Sequence, residues 1–187
     1  MEEIFKSDDY TAEQSAITEE MLGNNHVFFL PYLMGERSPI NDTNARGTFV
    51  GMTMDTSRAE LLQAVLEGVA FAIRDSIEVA RNQGIELTAS KLCGGGAKSK
   101  LWQKMMANIL NMRLELPVSE QGPGMGAAML AMVCCGAYDS VEAVCESLCE
   151  TAAVVEPDAE LVAKYEERYQ KFKKIYPAMK TLFKELI

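Results

Sequence analysis

Histidine is almost missing from this chain: among 187 residues, His26 stands alone. That count removes a Ser-His-Asp triad, multi-histidine zinc sites and metalloprotease helices from consideration. The five cysteines, Cys93, Cys134, Cys135, Cys145 and Cys149, contain no CxxC pair. They read as buried, reduced thiols rather than metal or redox ligands. Basic charge is also scarce, with Lys plus Arg at 18 against Asp plus Glu at 27, a net charge of −9. No dense basic run offsets it, so nucleic acid and anionic membrane surfaces are excluded as partners. The longest apolar runs fall far short of the roughly 20 residues that span a bilayer, and the acidic opening Met1-Glu2-Glu3 is unlike a signal peptide. A cytoplasmic protein is expected, with any chemistry resting on carboxylates, backbone amides, lysines or arginines.

What the chain does contain is an alternation of short strands and patterned helices, which places it in the α/β class. One domain of ordinary size is the default at this length. Residues 1–22 are polar and acidic and read as the remnant of a preceding segment, anchored only by a few residues such as Ile4, Phe5, Ile17 and Leu22. The run Val27-Phe28-Phe29-Leu30 reads as a buried strand ended by Pro31, and 47–53 as a short alternating strand. Between them lies a long polar loop carrying Glu36, Arg37, Asp42 and Arg46, either solvated or lining a cleft. Ser57 and Glu60 form a capping box that starts a helix over 58–83, ended by Gly84. Gly68 inside that helix costs about 1 kcal/mol relative to alanine, which marks close packing against a strand. Strands are predicted at 87–92, 113–118 and 153–155. Helices are predicted over 101–110, from 125 after a loop at 122–124, over 140–149, and after Pro157, where Pro177 should kink or end the first segment.

The sharpest feature is Gly94-Gly95-Gly96, set between a strand and a helix and followed by Ala97-Lys98-Ser99-Lys100. Residues without Cβ let a ligand approach the main chain, and the first N–H groups of the next helix attract anions. A P-loop would need glycine where Ala97 stands, and a dinucleotide fingerprint would need a third glycine where Ser99 stands. Neither motif fits, so the turn alone supports a structural role as well as a nucleotide site.

The string GTFVGMTMDTSRAELLQAVLE at 47–67 matches the second signature of the FGGY carbohydrate kinases, through Gly47, Phe49, Gly51, Met52, Glu60, Leu61, Ala64, Val65, Leu66 and Glu67. With FLPYLMGERSP, NDTNARG, EGVAFAIRDSIE and GGGAKSKLW, the chain from about residue 23 resembles that family, and among its members looks most similar to the xylulose kinases. The resemblance implies a ribonuclease-H-like domain of the actin/hexokinase-like ATPase kind, a mixed sheet flanked by helices, with residues 23–187 forming the carboxyl-terminal nucleotide-binding domain. It implies ATP or ADP and Mg2+ as cofactors, and transfer of a γ-phosphoryl group to a sugar hydroxyl. The base carboxylate and the sugar-holding amino-terminal domain would then lie upstream. By the same resemblance Gly96 contacts the adenosine and Gly95 shapes the approach. Lys100 stands where several relatives carry asparagine beside the nucleotide. Asp42, Glu36 and Asp75 are available carboxylates, the loop pair suited to hinge or cleft contacts and Asp75 to a solvated or ion-paired helix position. A homodimer through exposed helices is expected from the resemblance and not from the residues. The alternatives are another FGGY kinase, for gluconate, ribulose or glycerol, or a non-catalytic nucleotide-sensing module of the same fold.

Overall fold

A computed structural model describes residues 9–118 and 122–186. Ile4 and Phe5 of the opening segment lie outside the described residues. The part that is described forms a short helix α1 (Tyr10–Ser15), capped by the Asp9 carboxylate, and sends Ile17 and Leu22 into the core.

Strands β1 (Phe28–Leu30) and β2 (Thr48–Val50) pair antiparallel, with Phe29 opposite Phe49. Helix α2 (Arg58–Asn82) follows, and its start is the capping box read from the sequence: the Ser57 hydroxyl accepts from the Glu60 N–H while the Glu60 carboxylate accepts from Ser57. Its end is set by Gly84 at φ +82, whose N–H donates to the Arg81 carbonyl at 2.9 Å. Midway along, α2 crosses β1 so closely that a Cβ on Gly68 would stand 2.1 Å from the Phe29 carbonyl oxygen. That glycine is what lets the helix backbone rest on the strand.

A second, three-stranded sheet has β4 (Arg113–Pro117) in the middle, parallel to β3 (Ala89–Lys91) and antiparallel to β5 (Thr151–Val155). The sheet is mixed, as expected. Strand β3 is shorter than the predicted 87–92, although Leu92 still donates to the Glu115 carbonyl at 2.9 Å. Its three residues are exposed, so no apolar face extends the ladder. A 3-10 turn (Gly95–Lys98) and helix α3 (Lys100–Leu110) connect β3 to β4. Every residue from Met105 to Leu110 is buried, because α3 packs against both α2 and the last helix.

Helix α4 (Gly122–Cys134) starts three residues before the predicted position. Helix α5 (Val141–Leu148) is capped by Ser140, and α6 (Ala159–Glu185) by Asp158. The last helix does not end at Pro177; it runs on to Glu185, with the Lys173 carbonyl giving up its usual N–H partner. The core is an aromatic cluster joining α2 to α6: Phe71 lies 5.1 Å from Phe172 and 5.9 Å from Tyr169 between ring centroids. Such pairs contribute on the order of 1 kcal/mol each beyond their buried area.

The cysteines correct the sequence reading. Cys93, Cys134 and Cys135 are exposed, and Cys145 and Cys149 are half-buried. Of the side chains on α4, only Met129 is buried, so an apolar composition there does not mean core. Among the described residues, no helix is long and apolar enough to cross a membrane.

Candidate functional site

The glycine turn is built from three glycines with three different duties. Gly94 takes φ +93, a left-handed conformation that side chains rarely adopt, and so swings the chain out of β3. The 3-10 turn behind it closes through Ala97 N–H to the Gly94 carbonyl at 3.0 Å and Ser99 N–H to the Gly96 carbonyl at 3.1 Å. At Gly96 a Cβ would stand 1.7 Å from Cζ3 of Trp102, so glycine is required there by the indole packed against it. Gly95 is the opposite case: a Cβ there would meet nothing within 4 Å. Its backbone faces open space.

The helix that follows is not a bare anion trap. The Ser99 hydroxyl accepts the Trp102 N–H at 3.2 Å and donates to the Gln14 side-chain oxygen, so part of the α3 N-terminus is already satisfied. Gln103 donates from its side chain to the Ala97 carbonyl at 2.5 Å and stiffens the turn from below.

Gly95, Gly96 and Lys100, the three residues singled out in the sequence, come together on one cleft of about 1140 Å³. Its opposite wall is the opening segment, with Thr11, Gln14 and Glu19 facing Trp102 and Lys104. Glu19 pairs with Lys104 across the cleft, and Arg58 holds Glu13 at 2.6 Å from the neighbouring helix. This second wall went unnoticed in the sequence. The Ser99–Gln14 and Lys104–Glu19 contacts each span 85 residues and carry no local pattern.

The available carboxylates are placed elsewhere; none of Glu36, Asp42 and Asp75 lines this cleft. Glu36 and Asp42 exchange backbone hydrogen bonds of 2.9 and 2.8 Å, and the Arg46 guanidinium donates to the Thr43 and Ala45 carbonyls, so the long loop is folded upon itself. The phenol of Tyr176 donates to Asp42 at 2.7 Å and, together with the Asn44 N–H, holds its carboxyl below the ordinary carboxylate range. Asp75 is half-buried and makes no salt bridge among the described residues. It accepts the Tyr169 hydroxyl at 2.6 Å, and burial raises its pKa against that hydrogen bond. Arg37 is exposed.

One signature residue, Glu67, has a structural role deep in the fold. Glu67 and Arg168 meet as a buried ion pair, with Gln63 donating to Glu67 at 2.7 Å and Arg168 also donating to the Val27 carbonyl at 3.1 Å. Burial pushes the Glu67 carboxyl up, against the pull of Arg168.

Residues 2–135 match the FGGY family of carbohydrate kinases, C-terminal domain. A xylulose kinase of Staphylococcus epidermidis is 33% identical over 184 residues, covering 98% of this chain and 37% of its own length. A crystal structure of a xylulose kinase from Brucella ovis superposes with a TM-score of 0.86 at 36% identity, covering 97% of this chain and 37% of that one. The crystal structure of glycerol kinase from Plasmodium falciparum with ADP gives 0.75 at 26% identity, over 92% of this chain and 35% of that one. The chain therefore spans about a third of the length of the relatives it matches.

Proposed function

This chain belongs to the FGGY family of carbohydrate kinases, and on that premise we propose that it is the nucleotide-holding, carboxyl-terminal part of a cytoplasmic kinase that phosphorylates D-xylulose to D-xylulose 5-phosphate. The observation that carries the nucleotide assignment is the glycine turn on the 1140 Å³ cleft, with Gly95 presenting backbone to open space. A nucleotide fits such a place: a flat base and ribose need close main-chain approach, and Lys100 on the same wall favours the charge of its phosphates, Lys104 being paired with Glu19. The solved relative described with ADP supports the same reading. That relative acts on glycerol, so the choice of xylulose rests on the similarity to xylulose kinases rather than on the cleft.

Phosphoryl transfer is catalysed chiefly by positioning and charge neutralisation, with a carboxylate taking the alcohol proton. When bound, Mg2+ supplies that neutralisation. Among the described residues no cluster of three or more His, Cys, Asp or Glu is placed to hold a metal ion, so no residue of this chain is assigned to it. The base and most of the sugar contacts are assigned to the part of the relatives' length that this chain does not span. The chain alone is accordingly read as binding nucleotide without turning over sugar.

The test is calorimetric titration with Mg-ADP of this chain and of its Gly95→Arg variant. Gly96 is unsuitable for it, because any side chain there collides with Trp102. Binding that falls at least ~10-fold in a variant with unchanged melting supports the assignment. Binding unaffected by Gly95→Arg would overturn the site, and measurable D-xylulose turnover by the 187-residue chain would overturn the division of labour.

A further inference from the structure

Below the long loop, between the last turns of α2 and the middle of α6, lies a cavity of about 420 Å³ that shares no lining residue with the glycine-turn cleft. Its size falls in the range of about 300–1,000 Å³ typical of small-ligand pockets. Two polar oxygens of its lining residues make no hydrogen bond among the described residues. Tyr32 is only 2% exposed as a residue and lines the cavity, and its hydroxyl makes no side-chain hydrogen bond to another described residue. Asp75 spends Oδ1 on the Tyr169 hydroxyl, and its second oxygen has no hydrogen bond among the described residues. Neither oxygen is among the buried unpaired atoms of the described residues, so water reaches both, and a ligand hydroxyl there would take the place of that water. Asn82 and Lys173 stand at the rim, while Pro39, Ile40 and Phe172 close the apolar side.

The charge pattern selects among ligands. An anion would face Asp75 and Glu78, and the latter is already held by Arg81 at 2.8 Å and Arg74 at 3.3 Å. An organic cation would compete for Tyr169 with the chain's own Arg74, 4.0 Å from the ring centroid, and Lys173, 5.1 Å from it. A purely apolar molecule would leave Tyr32 and Asp75 unpaired. Hydroxyl groups on adjacent carbons both donate and accept, and suit a free phenol beside a free carboxylate oxygen.

We propose that this cavity is a second ligand site, separate from the glycine-turn cleft, that takes a small neutral polyol by donation from the Tyr32 hydroxyl and acceptance by Asp75. The test is an amide NMR titration of the 187-residue chain with xylitol, choline and inorganic phosphate in parallel. The expected result is a saturable, millimolar xylitol response centred on residues 32, 75 and 82, weakened about tenfold by Tyr32→Phe and unchanged in Gly95→Arg. Asn82→Ala at the exposed rim gives the same weakening should Tyr32→Phe alter the melting of the protein. No saturable xylitol response, a response that these variants leave intact, or tighter binding of choline or phosphate would each overturn the proposal.

Discussion

The Glu67 carboxylate on α2 and the Arg168 guanidinium on α6 touch in the interior, at 1% and 5% exposure. The pair ties the two longest helices together and, through the Val27 carbonyl, fixes the approach of the chain to β1. Removing one partner leaves a buried charge uncompensated, at a cost of about 3–5 kcal/mol. Arg168→Met should therefore destabilise strongly in denaturant unfolding. The double variant Glu67→Leu with Arg168→Met should recover most of the loss, because desolvation offsets much of the pair's attraction. A double variant no more stable than the single one would show that the pair contributes more than its desolvation removes.

Gly68 gives a second prediction with an inverted sign. In an exposed helix, Gly→Ala stabilises by about 1 kcal/mol. Here the added methyl would enter the 2.1 Å space before the Phe29 carbonyl oxygen, and neither backbone can yield without breaking the β1–β2 register. Gly68→Ala is expected to destabilise by about 1–3 kcal/mol net. Equal or higher stability would mean that α2 can lift from β1 at little cost.

What the sequence discloses here is whatever repeats or closes locally. Ser57 and Glu60 lie three residues apart, so the start of α2 is legible, and Gly68 is legible as a helix glycine that must have a packing reason. The work of Gly96 is not, because the residue that demands it is Trp102, and a glycine six positions before an indole has no pattern of its own. Glu67 and Arg168 stand 101 residues apart, and Tyr32 and Asp75 belong to a loop and a helix that only the fold brings to one cavity. The cysteines mislead for a different reason. The segment around Cys134 and Cys135 is apolar on all sides, so composition predicts burial, while α4 is covered only at Met129.

The hydrogen bond from Tyr176 to Asp42 ties the long loop to α6, and it predicts a pH dependence with a defined sign. Asp42 has its carboxyl lowered from an ordinary value of 3.8, first by Tyr176 and then by the Asn44 N–H. A lowered acid contributes stability above its unfolded value and loses it as the pH falls through the folded one. Tyr176 is pushed up to about 12, by burial and by Asp42, so its share is present below the ordinary value of 10 and is lost as pH rises through about 12. Tyr176→Phe should thus melt lower than the parent near neutral pH, with the gap closing under acid once Asp42 is protonated in both proteins. Thermal melts of the two proteins across the acid range measure that gap directly. A gap that stays constant down to about pH 2 would assign the loss to packing of the ring against Tyr32, which meets it edge to face at 6.0 Å, rather than to the hydrogen bond.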